Sequence, residues 1–125
     1  MTERRDVYRV SEHDAQVALF EWAAHVPELE WMFAIPNGTR TSMDIARRMK
    51  AEGVKKGVSD ICLPLPRGGS HGLYIEMKSD TGSASPEQKA FITAMREAGY
   101  SAYICKGFDA ARAVILQYLD MGDND

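Results

Sequence analysis

Apolar residues recur at helical spacing in some stretches of the chain and at strand spacing in others. Behind Ser11 and Asp14, Val17, Leu19, Phe20, Ala23 and Ala24 form one helical stripe. This predicts a helix over 12–25, ended by Pro27. Ser11 with Asp14 resembles a capping box, although Glu or Gln is the usual third residue. The short apolar run 31–35 reads as a strand, and Pro36-Asn37-Gly38 as a turn. Ser42 is placed to cap a second helix over 43–52, with Gly53 as its stop. A strand over 60–65 follows Gly57 and is broken by Pro64 and Pro66. Arg67-Gly68-Gly69-Ser70 then reads as a loop or hairpin turn, and 72–78 as the returning strand. Beyond a polar loop, Ser85-Pro86-Glu87-Gln88 combines an N-cap, a first-turn Pro and a capping-box Gln. The helix it starts is expected to run to about 98 and stop at Gly99. A strand over 100–105 and a helix over 109–119 complete the pattern, and the acidic end MGDND is expected to fray.

Interleaved helices and strands define an α/β fold, a central mixed β-sheet flanked by helices. The hairpin supplies an antiparallel pair and the strand–helix–strand unit after it a parallel one. A length of 125 residues fits one domain over 1–125, with its core over about 11–119. No apolar run approaches the roughly 20 residues of a membrane helix, so no membrane association is expected. The start, MTERRDVYRV, has charge without the apolar stretch of a secretory signal. Cys62 and Cys105 lie far apart inside apolar runs and read as buried thiols of a reducing cytoplasm. The net charge of −3 argues against coating nucleic acid through bulk positive charge. It leaves room for a local patch, and 40–56 is one: Arg40, Arg47, Arg48, Lys50, Lys55 and Lys56 against Asp44 and Glu52. The blander reading of that stretch is a solvated helix face with an Asp44–Arg48 pair. His13, His25 and His71 lack the spacing of a zinc site, and no phosphate loop of the NTPase type is present.

Chemistry concentrates in GVSDICLPLPRGGSHGLYIEMKS, residues 57–79. Strand alternation puts Tyr74, Glu76 and Lys78 on one face and sends Leu73, Ile75 and Met77 into the core. Asp60 opens the preceding strand although Asp is a poor strand residue. Pairing of the two strands would bring its carboxylate near Glu76. Two carboxylates beside an ammonium suit a divalent cation next to a charge stabiliser, as phosphodiester hydrolysis requires. Taken alone, Glu76 and Lys78 are equally an ordinary pair on an exposed strand face.

The Asp…Glu-x-Lys pattern on a hairpin resembles the PD-(D/E)XK nuclease superfamily, whose core is that of restriction endonucleases. More specifically the chain resembles VRR-NUC nucleases of the stand-alone phage and bacterial type. The matching pieces are SEHDAQVALFEWA, FAIPNGTR, MKAEGVKKGVSDICLPLPRGG, HGLYIEMKS and SPEQKAFITAMREAGYSAYICKGFDAA. The resemblance implies metal ligation by Asp60, Glu76 and the main-chain carbonyl of Met77, with Mg²⁺ or Mn²⁺ as the cofactor. It implies catalytic roles for Asp60, Glu76, Lys78 and Gln88, and a place for Glu12 in the metal shell. Ser59 stands where the superfamily pattern has Pro, which is not a ligand. Glu12 is also explained by the dipole of its helix, and Gln88 by the capping box with Ser85. Tyr74 either packs under the site or touches substrate. Arg40 to Lys56, with Asn37 and Arg40 in the preceding turn, is expected to contact DNA phosphates.

The resemblance further implies a structure-selective DNA endonuclease, similar to Holliday-junction resolvases and acting as a homodimer in a bacterial or phage-infected cytoplasm. Alternatives are a flap or nicking nuclease working with partner proteins, and an inert DNA-binding module on the same fold.

Overall fold

A computed structural model describes residues 11–36 and 42–123. The expected turn at Asn37 and the candidate contact Arg40 lie outside the described residues. Helix α1 spans Glu12–Ala23 and is capped by Ser11, whose hydroxyl accepts the Asp14 N–H. It ends two residues earlier than the apolar stripe suggests, because the chain tightens into a 3₁₀ turn at Pro27–Leu29. That turn continues to Met32, so strand β1 shrinks to Phe33–Ala34. Helix α2 spans Met43–Ala51, with the Ser42 hydroxyl on the Ile45 N–H. Strand β2 is only Ile61–Leu63, and β3 is Leu73–Lys78. Helix α3 is Pro86–Glu97, β4 is Ser101–Lys106, and α4 is Phe108–Asp120. No helix among the described residues is long and apolar enough to cross a membrane.

The sheet is mixed, as expected, in the order β1-β2-β3-β4. β1–β2 and β2–β3 are antiparallel, and β3–β4 is parallel across the α3 connection. Helices α1 and α4 pack together on one face, and α3 covers β3 and β4 from the other. Leu19, Ile61, Leu63, Leu73, Ile75, Met77 and Ile115 make the centre of the core, each at most 1% exposed. Burial of this apolar surface is the main stabilising term. Helix α2 buries no residue and stands away from it. Cys62 and Cys105 are buried free thiols.

Contacts at two places close the periphery. On the open edge of β4, Arg96 donates to the Ala102 carbonyl at 2.9 Å and lies over the Tyr103 ring. A bound carbonyl is no longer a template for another strand. At the hairpin loop, the Tyr118 hydroxyl donates to the Leu65 carbonyl at 2.5 Å. The Gly68 N–H meets the Gly122 carbonyl, and Arg67 pairs with Asp123. Residues 122 and 123 of the tail expected to fray are therefore held against this loop.

Tyr118→Phe leaves the Leu65 carbonyl without its donor in a partly buried setting. The expected loss is about 1–2 kcal/mol in urea unfolding, with an unchanged m-value. A neutral variant would show that the loop is held by the Gly68–Gly122 and Arg67–Asp123 contacts without this bond.

Candidate active site

The β2–β3 register pairs Ile61 with Ile75, and one further step sets Asp60 opposite Glu76. Asp60 does not extend the strand as the sequence suggests. Its main-chain carbonyl accepts the Ile35 N–H at 2.7 Å, while its side chain accepts the Met77 N–H at 2.7 Å. A residue whose carboxylate caps the neighbouring strand leaves the ladder, which is why β2 begins at Ile61. At its other end β2 stops before Pro64 and Pro66, which lack amide donors.

Alternation along β3 works as expected. Met77 goes into the core, and Tyr74, Glu76 and Lys78 take the opposite face. Tyr74 is resolved as packing: it meets Phe91 and Tyr100 edge-on at 5.1 and 5.3 Å between α3 and the sheet. Glu76 is 1% exposed, so its carboxyl is buried although it lies on the face away from the core. Lys78 Nζ stands 3.6 Å from Glu76 Oε2, and Gln88 Nε2 donates to the same oxygen at 3.1 Å. The other oxygen, Oε1, is buried without a hydrogen-bond partner.

Burial first, and then the like charge of Asp60, push the Glu76 carboxyl up to about 8, against the pull of the Lys78 ammonium. A buried carboxyl with an unsatisfied oxygen beside a half-buried carboxylate is unfavourable for a fold by itself. A divalent cation would satisfy both the charge and the open lone pairs, so these residues fit one.

Gln88 makes two contacts at once. Its Oε1 accepts the Ser85 N–H at 2.8 Å and closes the capping box of α3, while its Nε2 reaches Glu76. Glu12 is exposed in the first turn of α1 and shares an open cleft wall with Asp60, Gln16 and Phe20. It is not drawn into a tight acidic group. Among the described residues no three His, Cys, Asp or Glu side chains are gathered closely enough to form a metal cage.

Of the basic residues, Arg47, Arg48, Lys50, Lys55 and Lys56 are all exposed. Asp44 pairs with Arg47 at 3.2 Å, one position earlier than the Asp44–Arg48 spacing suggested. Lys56 lies 3.8 Å from Glu87, beside Gln88 in the first turn of α3.

Gly57 is the contact that sequence reading passed over. Its φ is +94°, and a Cβ there would stand 2.6 Å from the Glu87 carbonyl oxygen. The loop that delivers Asp60 is thus seated backbone to backbone on the helix turn that delivers Gln88. A Gly three residues before the Asp is the only trace of this in the sequence. Ser59 is fully buried with no partner for its hydroxyl.

The four-strand mixed sheet flanked by helices makes the chain a small α/β domain. Residues 1–109 match the family model for the VRR-NUC domain, and the chain belongs to that family. A solved structure described as a VRR_NUC domain protein is similar at 32% identity, with a TM-score of 0.83 over 94% of each chain. No functionally curated protein matches the chain.

Two outcomes are expected here. In the folded chain Glu76 holds its proton to about 8, whereas an ordinary Glu releases it near 4.5. The unfolded state therefore loses that proton first, and stability falls as pH rises through this window. In EDTA, chemical unfolding should show a slope on the order of 1 kcal/mol per pH unit that Glu76→Gln flattens. An unaltered slope in the variant would place the titration elsewhere.

Gly57→Ala should lower stability by more than Gly53→Ala. Gly53 has a similar φ of +101° but nothing within 4 Å of a new Cβ. Strain of about 1 kcal/mol is common to both, and only Gly57→Ala adds the clash with α3. Equal melting temperatures for the two variants would refute the seat.

Proposed function

We propose that the chain is a Mg²⁺- or Mn²⁺-dependent DNA endonuclease that hydrolyses phosphodiester bonds. The observation that carries this is the buried Glu76 carboxyl, with one oxygen held by Gln88 and Lys78 and the other left open beside Asp60. Asp60, Glu76 and the main-chain carbonyl of Met77 would hold the cation, and Glu12 faces the same cleft as Asp60. Such a cation, when bound, would supply Lewis-acid activation of the phosphodiester and of the attacking water.

The protein's own groups do the rest. Lys78, 12% exposed at its side chain, keeps its ammonium at the site, where it offsets charge developing on the phosphate. The β-strand backbone fixes its distance from Glu76, so little reorganisation accompanies the reaction. Gln88 keeps Glu76 in place. Arg47, Arg48, Lys50, Lys55 and Lys56, joined by Asn37 and Arg40, contact DNA phosphates and set the duplex over the cleft. Branched DNA, cut by a homodimer in repair or recombination inside a bacterial or phage-infected cell, is the substrate setting we favour. Membership of the VRR-NUC family supports the nuclease chemistry. The junction preference rests on similarity to resolvases.

Linear, flap and four-way-junction DNA, incubated with Mg²⁺ or Mn²⁺, test this. Wild type should cut the junction in symmetric pairs, EDTA should abolish cutting, and Lys78→Ala should slow it by about 10²-fold or more. Undiminished cutting by Lys78→Ala removes the mechanism. Preference for the flap would make the protein a flap nuclease, and tight binding without cutting an inert module.

A further inference from the structure

The start of α3 carries one hydrogen bond more than a helix end needs. The Ser85 hydroxyl accepts the Gln88 N–H at 3.1 Å, and Gln88 Oε1 accepts the Ser85 N–H at 2.8 Å. These two bonds complete a capping box, and a Glu at position 88 would close it as well. Only an amide has a donor left over, and here that donor meets Glu76 Oε2 at 3.1 Å.

The box also decides which way the amide faces. Turning it over would set the NH₂ against the Ser85 N–H and the amide oxygen against a carboxyl oxygen, losing both bonds. Lys78 approaches the same Oε2, so both donors converge on one side of the carboxyl. Oε1 is left buried and accepts no hydrogen bond among the described residues. The seat of Gly57 on Glu87 holds this helix turn against the Asp60 loop, so the amide and the second carboxylate keep their relation.

We propose that the capping box of α3 is the positioning device of the metal site. The Ser85 N–H orients the Gln88 amide, the amide holds Glu76 by Oε2, and Oε1 is thereby presented to the cation. Ser85 and Gln88 are positioning residues in this scheme, which rests on the metal-binding reading of Glu76 given above.

The full-length chain tests it by Mn²⁺ titration calorimetry, with thermal melting alongside. Ser85→Ala removes the hydroxyl but keeps the N–H. Ser85→Pro removes the N–H as well, and the Ser85 φ of −71° suits Pro. Ser85→Ala should melt earlier yet keep its Mn²⁺ Kd within about twofold of wild type. Ser85→Pro and Gln88→Ala should both weaken Mn²⁺ binding about tenfold, the loss usual for a partner that holds a metal ligand.

A cap with only a structural role gives the opposite grouping: all three variants melt earlier and none loses Mn²⁺ affinity. That result overturns the proposal, as does an equal affinity loss in Ser85→Ala and Ser85→Pro. Where Ser85→Pro does not fold, the Gln88 side-chain NH₂ signals carry the test. They should exchange slowly with water in both wild type and Ser85→Ala, and fast exchange in wild type overturns the proposal. Failure of wild type itself to bind Mn²⁺ removes the metal reading, and this inference with it, before any variant is compared.

Discussion

The rest of the site depends on one buried carboxyl. Glu76 lies inside the parallel β3–β4 pairing, one step past the last antiparallel pair that β3 makes with β2. It cannot escape to solvent without breaking β3. A carboxylate in such a place raises the free energy of the fold unless something answers its charge and its lone pairs. Gln88 and Lys78 answer one oxygen, and among the described residues the other accepts no hydrogen bond. A local violation of good packing inside an otherwise consistent fold is the mark of a functional site.

The neighbouring elements are arranged to keep that carboxyl where it is. Asp60 is pinned at both main chain and side chain, to Ile35 and to Met77. Gly57 lets the loop before it touch the backbone of α3, which no residue with a Cβ could do at 2.6 Å. Tyr74, one step along the same strand face, fills the space under α3 with aromatic contacts and keeps the helix at its distance. Helix α2 contrasts with all of these. It buries nothing and presents its basic side chains to solvent.

Much of this was legible from residue order. Helix starts at Ser11, Ser42 and Ser85 follow from side chains that hydrogen-bond their own backbone, a local rule that needs no tertiary contact. The common face of Glu76 and Lys78 follows from the two-residue period of a strand. The boundaries were read less well where a distant partner intervened. Asp60 reads as the first residue of a strand, but the Met77 N–H draws its side chain out of that role. Trp31 reads as strand, but the 3₁₀ turn after Pro27 carries the chain past it.

Sequence alone determined the α/β order, the hairpin, the core face of β3 and the residue types of the site, because periodicity and capping are properties of neighbours along the chain. The tertiary structure alone decided that Glu76 is buried, that one of its oxygens accepts no hydrogen bond among the described residues, that Tyr74 packs against Phe91 and Tyr100, and that Glu12 lines the same open cleft as Asp60 without joining a tight acidic group. It also decided that Gln88, whose capping role the sequence states, hydrogen-bonds Glu76 at the same time. Each of these is a distance between elements far apart in the chain. Such distances are set by how the layers pack, and no local pattern encodes them.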